Sequence, residues 1–263
     1  MILMADVSRE LAVYADGKLI QYYQHARLKG KDILGLFPCS FMLEFWNLSY
    51  DQYLLLSRAL KIVVKHRKSI LASGDIVDIF RVPVEKGMKT QVCFSLGLSL
   101  WESAVSLSLE SGKKVSETVV AILEETGLDI SLIAFPSSDP VFARGQAFFG
   151  RAAESVLAAL SAASFEVYQV ESGISVVSVD ELEVSLRLTE SDLLSAPEFP
   201  SSDFAVVRTN VVGWSVGKLI QVTWLDERKR RKLLKGFVRE RSVEADSQSG
   251  PWNAQLLLEV MNS

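Results

Sequence analysis

Metal binding and nucleophilic catalysis both require several donor side chains to converge, and this chain offers few. It has two histidines, His25 and His66, and two cysteines, Cys39 and Cys93, among 263 residues. The histidines fall in different strand-like stretches with no ligand spacing around them, and neither cysteine belongs to a CxxC. A pairing of either cysteine with either histidine stays open from sequence alone. Gly97-Leu98-Ser99-Leu100-Trp101 begins as a nucleophile elbow does but lacks the closing glycine, and a strand explains it more simply. Gly145 to Gly150 has the glycine spacing of a phosphate loop, yet Arg151-Ala152 stands where Lys and Ser/Thr would hold phosphate and magnesium. Gly150 is read instead as opening a helix. The 32 acidic residues supply many carboxylate pairs, which only separation in space could turn into a glycosidase site. Most of them alternate with apolar positions, as Glu183 does between Leu182 and Val184, and read as solvated faces. No catalytic residue, metal ligand or cofactor is therefore assigned.

Charge gives one further candidate. Arg228-Lys229-Arg230-Arg231-Lys232, with Lys235 beyond it, is a basic run edged by Asp226 and Glu227 and lying between two candidate strands. It reads either as a solvated hairpin tip or as a projection toward an acidic protein surface or nucleic acid. The net charge of −4 and pI near 5.4 disfavour an extended nucleic-acid face. Arg228, Arg230, Arg231 and Lys232 are the candidate interface residues there. Trp214 and Trp252 join them because they flank glycines, where large rings could anchor neighbours, although core packing also suits both.

The elements that must position these residues are mostly strands. Thr90, Val92, Phe94, Leu96 and Leu98 alternate with polar positions, as do Cys39, Phe41, Leu43 and Phe45, and Leu60, Ile62 and Val64. Ser49 and Gln52 have the form of a capping box for a short helix through about Ser57. From about Trp101 the pattern becomes strand-helix. A strand through Val105, Leu107 and Leu109 leads to a helix capped by Ser116, with Val119, Ile122 and Leu123 inward and Gly127 at its end. A second strand and helix follow, the helix burying Ala153, Val156, Leu157 and Leu160. Strands at about Phe165–Val179 and Leu182–Leu188 precede a capped turn at Thr189–Asp192 and a Pro197–Ser202 linker. The last third returns to strands at Phe204–Val212, Lys218–Trp224, Gly236–Val243 and Ala254–Met261. The expected fold class is α+β, strand-dominated: a tube-like β-barrel at 1–100, a strand-helix domain at 101–200, and a second barrel at 201–263 that shares strands with earlier segments.

With 49% apolar content but no apolar run approaching the ~18–20 residues of a membrane-spanning helix, the chain is expected to be soluble. Met1 to Met4 run directly into Asp6, Arg9 and Glu10, which does not resemble a secretory signal. The cysteines read as buried thiols in a reducing compartment.

The order of these parts resembles the late-control-D-like baseplate hub proteins of bacteriophage contractile tails and related injection machines. The likeness rests on the expected opening barrel, on Val115–Leu123 ending at Thr126-Gly127, and on Arg144-Gly145-Gln146 leading into the second helix. In the last third it rests on Arg208-Thr209, on Gly213-Trp214-Ser215-Val216-Gly217-Lys218 before a strand to Trp224, and on Glu244 to Trp252, where Asp246-Ser247 replaces an expected Asp-Thr. The resemblance implies a structural role without enzymatic activity. The protein would form a homotrimer whose two barrels per chain make a pseudo-sixfold ring, adapting a hexameric tail tube to a trimeric spike. Implied partners are itself, the tail tube protein, the spike, other baseplate proteins and the tape measure protein. The implied location is the virion tail, reached from the host cytoplasm. A tail-associated cell-wall hydrolase and a nucleic-acid-binding barrel are the competing readings. Gly-Lys-Leu-Ile occurs twice, at Gly17–Ile20 and Gly217–Ile220, and chance explains it best.

Overall fold

The computed structural model describes residues 9–261 apart from residues 22, 171, 172 and 214. The first segment holds β1 (Ala12–Ala15), β2 (Lys18–Leu19), β3 (His25–Ile33), β4 (Cys39–Trp46), α1 (Tyr50–Arg58), β5 (Lys61–His66), β6 (Ser69–Val84) and β7 (Gly87–Leu96). A middle segment holds α2 (Leu98–Glu102), β8 (Ala104–Leu109), α3 (Val115–Glu125), β9 (Ser131–Ala134), β10 (Gln146–Arg151), α4 (Ala152–Ser161), β11 (Glu166–Val170) and β12 (Gly173–Val177). The last comprises β13 (Val184–Leu188), β14 (Phe204–Thr209), β15 (Leu219–Leu225), β16 (Arg231–Asp246) and β17 (Trp252–Val260).

The expected alternation is present. Cys39, Phe41, Leu43 and Phe45 all point inward on β4, opposite Thr90, Val92 and Phe94 of β7. Two barrels were expected, the second sharing strands with earlier segments, and strand sharing between the two ends is extensive. Strands from both ends form one twelve-stranded sheet, and among the described residues no ring of strand pairings closes. The reason is the length of β16. Its first half pairs with β15, its second half pairs with β3, and β17 runs along its other side. β13, which the sequence division puts in the middle domain, also pairs with β15 in this sheet.

Two parts of the sheet repeat one pattern. β5–β6–β7–β4 and β15–β16–β17–β14 have the same strand order and the same antiparallel pairings. Each is built on a 16-residue strand, β6 or β16. Each long strand carries a bulge at the same distance from its start, between Ile76 and Asp78 or between Val238 and Glu240. Each also has a glycine where the neighbouring strand passes too closely for a side chain. A Cβ on Gly74 would strike the Ser95 backbone, and one on Gly236 would lie 2.8 Å from Leu258 Cβ. Ile62 lies opposite Gly74 as Ile220 lies opposite Gly236.

Among the described residues three hydrophobic cores underlie the sheet and the middle segment. The first gathers Val13, Leu28, Phe45, Val64 and Phe94, and takes Val212, Val243, Ala245 and Trp252 from the far end of the chain. The second packs α3 and α4 through Val119, Ile122, Val156 and Leu160, with Leu36 reaching in from the first segment. The third joins Val207, Ile220, Val238 and Leu256 to Tyr168.

Local expectations fail in instructive ways. Ser116 is the second residue of α3 and not its cap. Its N–H and hydroxyl donate to the Asp139 carboxylate at 3.1 and 2.6 Å, so a distant acid satisfies the first turn. Ser49 does cap α1, but the Gln52 side chain accepts from the Gln21 N–H at 2.8 Å instead of turning back to Ser49. Leu98 and Ser99 belong to the short α2, after Gly97 in the left-handed region. Gly150 lies within β10, and α4 begins two residues later.

The joint between the two repeats contains a buried ion pair. Arg241 is 3% exposed and Asp32 6%. They meet as a fork, Nε to Oδ1 and Nη2 to Oδ2, both at 2.9 Å. Arg241 also donates to the backbone carbonyls of Leu71 at 2.7 Å and Val212 at 3.4 Å. Burial drives the Asp32 carboxyl upward, against the pull of the Arg241 charge and its hydrogen bonds. Arg241→Met alone is expected to destabilise the fold by about 3–5 kcal/mol, because it strands a buried carboxylate. Adding Asp32→Leu should restore most of the loss, as read from urea unfolding midpoints.

Candidate assembly surfaces

The basic run forms the turn of the β15–β16 hairpin, and Asp226 organises it. The Asp226 Oδ1 accepts the N–H groups of Arg228 and Arg230 at 2.9 and 2.8 Å, and Oδ2 meets Arg230 Nε at 3.0 Å. The Asp226 N–H donates to the Arg230 carbonyl at 2.9 Å, and Lys229 takes the left-handed conformation that such short hairpin loops use. These backbone donors, with the cationic neighbours, hold the Asp226 carboxyl below its ordinary range. Arg228, Lys229, Arg231 and Lys232 are all exposed. Arg230 and Lys232 turn toward Asp226, whereas Arg228 and Arg231 have no acidic partner among the described residues. Apolar side chains border the arm: Leu225 and Leu233 on its strands, and Phe199 near Trp224 with ring centroids 6.2 Å apart.

The tryptophans separate. Trp252 is 8% exposed, sits in the first core and meets the His66 ring edge-on at 4.9 Å, so it packs the interior and is not a surface anchor. Trp214 lies outside the described residues.

The Glu244–Trp252 stretch is the tight end of the β16–β17 hairpin, tied onto β3. Asp246 Oδ1 accepts from the Gln248 N–H at 2.9 Å and lies 2.8 Å from His25 Nε2. Ser247 exchanges bonds with the Ala26 backbone, each 2.9 Å. The neighbouring outer face carries an ion-pair ladder. Glu44 receives Lys89 at 2.8 Å and Gln91 at 2.7 Å, while Glu244 receives Arg27 and Lys29.

A cleft of about 520 Å³ between the first and middle segments is lined by Asp16, Lys61, Asp75, Ser99, Asp129 and Gln169 among others. Ser99 stands on a strand-turn-helix there, but no histidine lines the cleft. The Asp16 carboxylate is used in accepting the N–H groups of Leu60 and Lys61. Neither cysteine is activated, since burial pushes both thiols up. His25 and His66 are engaged by Asp246 and by the Glu10 carbonyl, respectively. Among the described residues no group of three or more His, Cys, Asp or Glu could hold a metal ion, and no helix is long and apolar enough to cross a membrane.

A second surface, which pattern reading missed, is the outer half of β6. Val77, Phe80 and Val82 are 57%, 46% and 39% exposed. Beyond the bulge this strand is paired, among the described residues, with β7 alone.

No protein-family model and no curated protein matches the sequence. Solved structures do match. A tail protein from Neisseria meningitidis aligns at a TM-score of 0.69 with 10% identity, over 95% of both chains. The fold is that of a tail protein. A 43 kDa tail protein of a Shewanella oneidensis prophage gives 0.66 with 10% identity, over 96% of this chain and 98% of that one. An Escherichia coli component of the type VI secretion system, described as structurally similar to the T4 bacteriophage tail proteins gp27 and gp5, gives 0.65 with 10% identity, over 95% and 77%.

Acid titration tests the ladder and the clasp. Burial pushes the carboxyls of Glu44, Glu244 and Asp246 up, but their hydrogen bonds and neighbouring cations outweigh it and hold all three below the ordinary range. Their contribution is full above the unfolded-state value of about pH 4 and is lost as pH falls through the lower folded values. The difference in melting temperature between the wild type and Asp246→Asn should hold from neutral pH to about pH 5 and shrink below about pH 4.

Proposed function

We propose that this protein is a structural hub of a phage tail or related contractile injection particle. In this reading three copies form a pseudo-sixfold ring that joins a hexameric tail tube to a trimeric spike. The observation that carries it is the repeated four-strand unit, two per chain, in a fold shared with tail proteins over nearly the whole length. Two units in each of three chains give six similar faces for a hexameric tube, while the chain count keeps a true threefold axis for a spike. The joint supports this role, because the Arg241 fork and the shared sheet fix the two units relative to each other.

The tail tube, the spike, other baseplate proteins and the tape measure protein are the partners this role requires, in the virion tail after assembly from the host cytoplasm. Arg228 and Arg231, on an exposed arm stiffened by Asp226, suit an acidic protein surface. Native mass measurement on the 29.1 kDa chain should give three chain masses, alone or with tube and spike partners. A single chain mass under both conditions contradicts the reading.

A further inference from the structure

The two repeats differ in what lies against the second half of their long strand. On β16 that edge is occupied: β3 pairs with it from Glu240 to Asp246, and the carbonyl of the bulged Arg239 accepts the Leu34 N–H at 2.8 Å. On β6 the corresponding edge, from Val77 to Val84, has no strand partner among the described residues, and it carries the exposed Val77, Phe80 and Val82. The surroundings otherwise agree closely. The Ile76 N–H donates to the Leu60 carbonyl at 2.8 Å, as the Val238 N–H donates to that of Lys218 at 2.9 Å.

β3 owes its place to its own unit. It lies antiparallel to β4, the outer strand of the first repeat, and so carries that repeat onto the long strand of the second. The second repeat has a counterpart. The stretch 193–199 lies antiparallel to β14 through the bridges Leu193–Thr209 and Glu198–Val206, with Glu198 and Val206 exchanging N–H bonds of 3.0 and 2.7 Å. Among the described residues no strand pairs with its far side, and Leu194 and Phe199 are exposed at 55% and 52%.

We infer that residues 193–199 of one copy dock on the open edge of β6 in the next copy, repeating between chains the β3–β16 contact made within each chain. This rests on the ring reading above and gives it a contact. The junction is head-to-tail, so the two patches differ and each copy uses both, an arrangement that closes into a ring of three. Pro197 and Pro200 cannot donate to a ladder, and Pro83 removes another donor from β6. Apolar packing of Leu194 and Phe199 against Phe80 and Val82 therefore carries most of the contact. The same prolines discourage indiscriminate edge pairing with other proteins.

The test uses the full-length chain. Phe80→Asp and Phe199→Asp, each altering an exposed side chain, should weaken trimerisation on the order of thirtyfold or more in sedimentation equilibrium while leaving the circular dichroism and melting of the monomer unchanged. A second measurement does not depend on tolerating a new charge. The double variant Val82→Cys, Phe199→Cys should oxidise to a covalent trimer, and neither single variant should. A wild-type trimer whose assembly is unaffected by either aspartate, and whose cysteine pair does not cross-link between chains, overturns this contact and leaves the ring reading in place. A wild-type chain that stays monomeric with and without its tail partners overturns the ring reading, and this contact with it.

Discussion

The architecture depends on the joint at which β3 meets the second half of β16, closed by the buried fork between Asp32 and Arg241. A guanidinium and a carboxylate taken out of water are tolerable only when their charges and hydrogen-bonding capacity are matched. Here Asp32 takes both prongs of the fork, and the Leu71 and Val212 carbonyls accept from two of the remaining donors. Those partners lie on β6 and on the approach to β15, so one side chain ties together strands more than two hundred residues apart in sequence. Arg239 extends the tie by pairing with Glu166 of β11 and Glu259 of β17. The joint makes the two repeats parts of one sheet.

The local periodicity was legible because it reflects burial on a single strand. Cys39 to Phe45, Thr90 to Phe94, and the helix stripe of Val119, Ile122 and Leu123 all follow from side-chain direction alone. Pairing between distant strands leaves no such trace, so the division of β16 between β15 and β3 was hidden, although strand sharing between the end segments was expected. The Asp139 that serves the start of α3 was hidden for the same reason. Ser116 is a good cap by type, but the acid 23 residues away reaches the helix first.

The internal repeat is the sharper lesson. The recurring Gly-Lys-Leu-Ile marks unrelated places: Gly17–Ile20 turns β1 into β2, whereas Gly217–Ile220 enters β15, whose counterpart is β5. The true equivalences are sparse, such as Ile62 with Ile220 and Gly74 with Gly236, and they mark positions where only shape is constrained. Candidate surfaces followed the same rule. The basic arm stood out by composition and is exposed. Trp252 stood out by size and is buried, because a ring beside a glycine is as useful to a core as to a surface. The open edge of β6 was not visible at all, since Phe80 and Val82 read like any apolar strand residues until their neighbours are known.

The central claim is that two fixed repeats per chain are segments of a ring. Electron microscopy of the purified full-length protein, averaged without imposed symmetry, tests it most directly. The account requires a closed ring of three chains with six similar lobes around a central opening. Single compact particles at every protein concentration and in the presence of tube and spike partners, or a ring of another order, would contradict it.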